Sequence, residues 1–220
     1  MQVLHGILQG MSVQADYERY AAKMRQLVLA GVDMETEARF IDMLCNRNSR
    51  ILDIGCGIGT TVSALRRKGH LAFGIDPTDA VLEIARELYK PGWYAKLSAT
   101  ELAKTALKDG GFPLRFEVIL LSGNVPFFLT EAELASLLEM ITSMLLPGGQ
   151  LVIGTTTKVR GGPEDQDRHA QGIGLTLQQR YANWHLEKFV GDSAFSVSIF
   201  DSAGQKPPVP GPDGLFVLRG

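Results

Sequence analysis

The sequence predicts a doubly wound α/β domain: seven strands in a mostly parallel sheet, capped by helices from the N-terminal region. Three observations predict it. Short apolar runs without polar alternation, the pattern of strands buried on both faces, alternate five times with helical periodicities. The first such run dissolves into glycines and passes straight into a helix, in ILDIGCGIGTTV over residues 51–62. The last third of the chain changes rhythm and reads as an antiparallel hairpin that adds to the sheet edge.

Residues 1–14 read as a disordered leader; MQVLHGILQG lacks the basic segment and longer apolar core of a signal peptide. From Ala15 to Ala30, Tyr17, Tyr20, Ala21, Met24, Leu27 and Val28 recur at intervals of three and four, an amphipathic helix stopped by Gly31. A second helix, from about Met34 to Leu44, turns Ala38, Ile41 and Leu44 inward, with Asp33 as its N-cap. Residues 15–48 thus make the cap.

RILDIG is the first buried strand and GCGIG the turn after it. Thr61–Lys68 is a helix closed by Gly69. LAFGID (Leu71–Asp76) is the second strand; Thr78 caps a helix over Asp79–Tyr89 that turns Val81, Leu82, Ala85 and Leu88 to one side. WYAKL (Trp93–Leu97) is the third strand, followed by a short helix near Glu101–Leu107. FEVILL (Phe116–Leu121) is the fourth. Thr130 and Glu133 have capping-box spacing and open a helix with Leu134, Leu137, Leu138, Ile141 and Leu145 inward. Pro147-Gly148-Gly149 end that helix and start QLVIGT, the fifth strand. Right-handed crossovers between parallel strands follow, and residues 49–156 form the cofactor-binding core.

Lys158–Gly174 is polar and reads as a loop or short helix. Leu175–Trp184 and Ala194–Phe200 are the hairpin strands, turning at Gly191-Asp192. KPPVPGPDG is a proline-rich loop, and LFVLRG a short strand or tail. Without an internal repeat, residues 15–220 read as one domain, with 157–220 its hairpin and acceptor-side region.

Composition excludes several classes. In 220 residues, 45% hydrophobic and 21% charged content is ordinary for a globular domain, and a formal charge of −2 argues against a nucleic-acid face. No apolar run approaches the length of a membrane span. Cys45 and Cys56 have no CxxC partners, so neither a zinc site nor a disulfide framework is indicated, and no metal is expected. These features suit a cytoplasmic protein, a monomer or homodimer, acting on a small molecule.

The glycine turn carries the chemistry. Where no Cβ stands, backbone approaches a ligand closely. The dinucleotide fingerprint G-x-G-x-x-G fits Gly55 and Gly57 but meets Thr60 at its third glycine, while Gly59 comes one position early. Asp53 stands two residues before the first glycine, where a carboxylate would repel a pyrophosphate and attract a cation. Asp76, at the end of the second strand, is placed to accept both ribose hydroxyls of a nucleoside. A ribose, a positive charge and no required phosphate describe S-adenosylmethionine.

DIGCGIG, GIDPTDAVLEIA, LLSGNVPFFL and LLPGGQLVIG, in that order, resemble the class I S-adenosylmethionine-dependent methyltransferases and their Rossmann-like fold. The resemblance implies that Asp53 organises the loop and meets the cofactor's amino-acid moiety. It implies that Gly55, Cys56, Gly57, Gly59 and Thr60 lie under methionine and ribose, that Asp76 takes the ribose hydroxyls, and that Pro77 and Thr78 run along the adenine. Ser98, Ala99 and Thr100 occupy the stretch that reads the adenine amino group, with serine where the family often has an acid. Ser122, Gly123 and Asn124 face cofactor and acceptor, and Tyr17 of the N-terminal helix touches the cofactor.

Methyl transfer is a direct displacement and obliges no general base, so no catalytic residue follows from the sequence. His169, Tyr181 and His185 are candidates if the acceptor is a hydroxyl. Asn124-Val125-Pro126-Phe127 only partly matches the Asn-Pro-Pro-aromatic motif of amino-group methyltransferases, and a turn that ends the strand explains it more simply. A module that binds S-adenosylmethionine without turnover and an NAD-dependent oxidoreductase are the rival readings.

Overall fold

The computed structural model describes the backbone of residues 2–205 and the side chains of residues 15–205. The expectations for KPPVPGPDG and LFVLRG lie outside the described residues. Seven strands form one sheet: β1 (Arg50–Ile54), β2 (Leu71–Asp76), β3 (Tyr94–Lys96), β4 (Phe116–Leu121), β5 (Leu145–Thr156), β6 (Leu175–Tyr181) and β7 (Phe195–Ser202). Their spatial order is β3-β2-β1-β4-β5-β7-β6. The first five pair in parallel, and β7 runs antiparallel to both β5 and β6. The doubly wound sheet with one reversed strand is therefore as the sequence predicts.

Helices cover both faces. On one side α2 (Thr36–Leu44), α3 (Thr60–Arg67) and α4 (Asp79–Leu88) pack Phe40, Leu65 and Leu82 against Ile51, Val118 and Val152. On the other, α5 (Lys104–Asp109) and α6 (Glu131–Met144) bury Leu107, Leu134, Leu138 and Ile141 against Leu52, Ile119 and Leu151. The alternation of Leu52 and Ile51 between faces is the period of two working inside an all-apolar run. α1 (Gln2–Leu29) lies outside this sandwich and packs Ala21 with Ile58 and Val81, held also by an Arg25–Glu87 ion pair to α4.

Several boundaries differ from the sequence expectations, each for a local reason. α1 begins at Gln2, so the backbone of the expected leader continues the cap helix; no proline interrupts residues 2–29. Glu35, not Asp33, holds the N-cap position of α2, and Asp33 instead accepts the Glu35 N–H at 3.0 Å. β5 starts at Leu145, because the residue before Leu146-Pro147 is already extended; Pro147, Gly148 and Gly149 form an irregularity within the pairing to β4 instead of a separate turn. β6 ends at Tyr181, which releases Asn183, Trp184 and His185 from the sheet. α7 (Pro163–Ala170) fills the polar stretch before it.

The Thr130 capping box is present in full: Thr130 Oγ1 accepts from the Glu133 N–H at 3.3 Å, and a Glu133 carboxylate oxygen accepts from the Thr130 N–H at 2.7 Å. Thr130→Ala is expected to lower the unfolding free energy in urea by about 1 kcal/mol with an unchanged slope; no change would show that α6 is held by packing alone.

Candidate functional site

β1 has β2 on one side and β4 on the other, so the connections leaving its carboxyl end and that of β4 diverge and open a crevice between them. The glycine turn lies there. Gly55 and Cys56 donate their N–H groups to the Ile75 carbonyl at 2.8 and 3.0 Å, which ties the turn to β2. Gly59 begins α3 at φ +77°, and a Cβ there would stand 2.4 Å from the Tyr94 ring. The Tyr94 hydroxyl donates to the Gly59 carbonyl at 3.0 Å, so β3 buttresses the turn from below. A side chain at Gly57 would meet nothing within 4 Å. That backbone faces the crevice.

A cavity of about 430 Å³ occupies the crevice. Its floor is Asp53, Gly55, Cys56, Gly57, Thr60 and Thr61. The cap contributes Tyr20 and Met24 from α1, then Asp33, Met34, Thr36 and Glu37 at the start of α2. Ser122 and Gly123 close it after β4, and Asn183, Trp184 and His185 after β6. Trp184 is seated firmly: its ring lies where a Cβ on Gly154 of β5 would be, 2.4 Å away, and Phe40 of α2 packs edge-on at 5.3 Å between centroids.

Two carboxylates dominate the floor. Asp53 is 1% exposed, and its Oδ1 has no hydrogen-bond partner among the described residues. Burial, then the nearby Glu37 and Asp76 charges, push its carboxyl up to about 8. Asp76, also buried, accepts the Gly57 N–H at 3.0 Å and the Thr78 N–H at 2.9 Å, one on each oxygen. Burial raises its carboxyl too, against the pull of those two donors. The Tyr20 hydroxyl is raised by burial and then by Asp76 and Glu37, so the cavity is a region of negative potential.

The structure thus brings Asp53, Gly55, Cys56, Gly57, Thr60, Ser122 and Gly123 to one cavity, with Asp76 directly behind the Gly57 backbone. Other sequence-predicted positions stand elsewhere. Tyr17 is 39% exposed and does not line the cavity; Tyr20, one turn later, does. The Asn124 amide oxygen accepts from the Thr156 N–H at 2.6 Å and the Thr155 hydroxyl at 3.2 Å, so this residue joins the β4 corner to β5. Ala99 and Thr100 border a separate cavity of about 370 Å³ against α6, and the Ser98 and Thr100 hydroxyls pair with each other at 2.8 Å. Pro77 and Thr78 follow β2 outside the lining; Thr78 occupies the N-cap position of α4 without a side-chain cap bond.

Of the three basic or phenolic candidates, only His185 lines the cavity. Tyr181 packs edge-on to Phe40 at 6.0 Å, and His169 lies on α7 with Nε2 3.8 Å from Glu131. The sequence reading missed Glu37, Met34 and Trp184. The signal for Glu37 was faint, an acid in the first turn of a cap helix; Trp184 stood inside a predicted strand. Among the described residues no group of three His, Cys, Asp or Glu side chains is arranged to hold a metal ion, and no helix is long and apolar enough to cross a membrane.

Comparison with known proteins agrees with this geometry. The methyltransferase-domain family model matches residues 51–149. A TehB-like S-adenosylmethionine-dependent methyltransferase of Corynebacterium glutamicum superposes with a TM-score of 0.75 at 30% identity, over 86% of this chain and 98% of that one. The N-methyltransferase NodS of Bradyrhizobium japonicum, solved with S-adenosyl-L-homocysteine, shares the fold at a TM-score of 0.59 and 18% identity, over 76% of this chain and 84% of that one. A ubiquinone biosynthesis O-methyltransferase of Rhizobium etli is 31% identical over 113 residues, 50% of this chain. That match spans only 42% of the relative's own length.

Proposed function

The chain belongs to the S-adenosylmethionine-dependent methyltransferases, and we propose that it binds S-adenosylmethionine between the glycine turn and the helical cap and passes the methyl group to a small-molecule acceptor. When bound, the cofactor supplies a methyl group activated on a sulfonium centre. The observation that carries the reading is the Asp53 carboxylate: buried, facing the cavity and short of one partner. An unpaired buried carboxylate is costly, and a cationic ligand relieves that cost. A pyrophosphate would raise it.

In this reading Gly55, Cys56, Gly57, Gly59 and Thr60 support the methionine and ribose. Asp76 has a lone pair left on each oxygen after its two backbone donors, which suits the two ribose hydroxyls. Pro77, Thr78 and the Ser98–Thr100 segment bound the adenine end. Ser122 and Gly123 face the reacting methyl group, with the acceptor between them and the wall of cap and Trp184. These residues align the partners and exclude water, which is worth about 7–11 kcal/mol in a well-oriented displacement.

Calorimetric titration tests the cofactor: S-adenosyl-L-homocysteine is expected to bind and NAD to give no heat. Release of S-adenosyl-L-homocysteine with an acceptor library then tests turnover. Firm NAD binding with no response to S-adenosyl compounds would refute the reading. The Rhizobium etli O-methyltransferase is matched over only 42% of its own length, so its acceptor is not carried over.

A further inference from the structure

The cavity wall away from the glycine turn has a charge pattern of its own. Across the whole cavity the acids are Asp33, Glu37 and, in the floor, Asp53; His185 is the one basic side chain, and no lysine or arginine lines it among the described residues. Asp33 is neutralised: Arg39 holds it with two nitrogens, at 2.9 and 2.8 Å. Asp53 belongs to the cofactor in the reading above. Glu37 remains. It is half-buried and lines the cavity, and its side chain makes no hydrogen bond or ion pair among the described residues. Arg39, whose field reaches it, is already engaged by Asp33 and Thr36. Its charge is felt at both Asp53 and Tyr20.

The ligands' charges then decide between acceptor classes. S-adenosylmethionine carries a sulfonium, an ammonium and a carboxylate, a net charge of +1 that balances Asp53. One carboxylate is left over beside apolar walls of Met34, Met24 and Trp184. A carboxylate in a partly dehydrated site favours a cation and disfavours an anion. The seating of Trp184 between Gly154 and Phe40 makes that wall rigid, and an indole adds attraction for ammonium groups.

Resting on the cofactor reading, we propose that the acceptor is a small amine with an apolar body, its ammonium held by Glu37 beside Trp184. Glu37 also takes the proton that the ammonium must lose. The freed nitrogen lone pair forms the new N–C bond as the C–S bond breaks, its electron pair staying on sulfur; the products are a methylated ammonium and the neutral thioether.

Calorimetry on protein saturated with S-adenosyl-L-homocysteine tests this apart from turnover, with phenethylamine and 3-phenylpropionate as size-matched probes of opposite charge. The amine is expected to bind at least tenfold more tightly, and Glu37→Gln to reduce that preference to threefold or less while keeping its response to S-adenosyl-L-homocysteine. Equal affinities, including no binding of either probe, overturn the proposal, as does a preference that survives in Glu37→Gln. Loss of S-adenosyl-L-homocysteine binding in that variant would place Glu37 on the cofactor and also overturn it. Failure of wild-type protein to bind S-adenosyl-L-homocysteine at all would instead refute the cofactor reading.

Discussion

Asp53→Asn is expected to stabilise the ligand-free protein at pH 8 and to weaken S-adenosylmethionine binding by roughly 10- to 100-fold, the range for loss of one charge-assisted contact. The two effects have one cause. The Asp53 carboxyl is pushed up to about 8 by burial, then by the Glu37 and Asp76 charges, whereas an unfolded aspartate titrates near about 4. Between those values the folded protein keeps a proton that the unfolded chain has lost. The Asp53 contribution to stability is therefore full below about pH 4 and is lost as pH rises to about 8, an amount on the order of 5 kcal/mol. An asparagine removes this slope, so thermal melts of variant and wild type should diverge as pH rises. Binding of a cation should also drive the proton off. Near pH 7 about one proton should be released per S-adenosylmethionine bound, read as a binding heat that depends on the buffer's ionisation enthalpy. A buffer-independent heat would mean that Asp53 is already ionised and satisfied without the ligand.

Asp76→Ala is expected to raise the dissociation constant for S-adenosyl-L-homocysteine by tenfold or more. The side chain has one role in the structure and a second in the proposed reading: its oxygens anchor the N–H groups of Gly57 and Thr78, and we propose that their remaining lone pairs accept the ribose hydroxyls. A comparison with the 2′,3′-dideoxy analogue separates them. If ribose contact dominates, wild type prefers the hydroxylated ligand by tenfold or more and Asp76→Ala loses the preference. If Asp76 serves only to hold the turn, both ligands weaken equally in the variant, and the ribose assignment fails.

Much of the fold was legible in the sequence because its signals are local. A period of two or an unbroken apolar run marks a strand, Gly59 and Gly69 punctuate α3, and Thr130 with Glu133 specifies a helix start within four residues. Asp53 and the glycines could be read for the same reason, since strand, turn and helix are contiguous. The far wall was not legible, because it is made of residues remote in sequence. Tyr17 and Tyr20 lie about 60° apart around one helix; which of them meets the cavity depends on how α1 crosses α4, and that is set by Ala21 against Ile58 and Val81. Trp184 reads as strand until Gly154 is known to leave room for its ring. Asn124 looks exposed to ligand at the strand end, yet the Thr156 N–H claims its oxygen.

The edge-on packing of Phe40 against Tyr181 and Trp184 joins the second cap helix to the end of β6 and the chain beyond it. A polypeptide emerging from the ribosome has its aspartates, glycine turn and first five strands in place before Trp184 exists. The pocket is therefore finished late in synthesis, because the wall that Trp184 and His185 supply follows the glycine turn by more than a hundred residues.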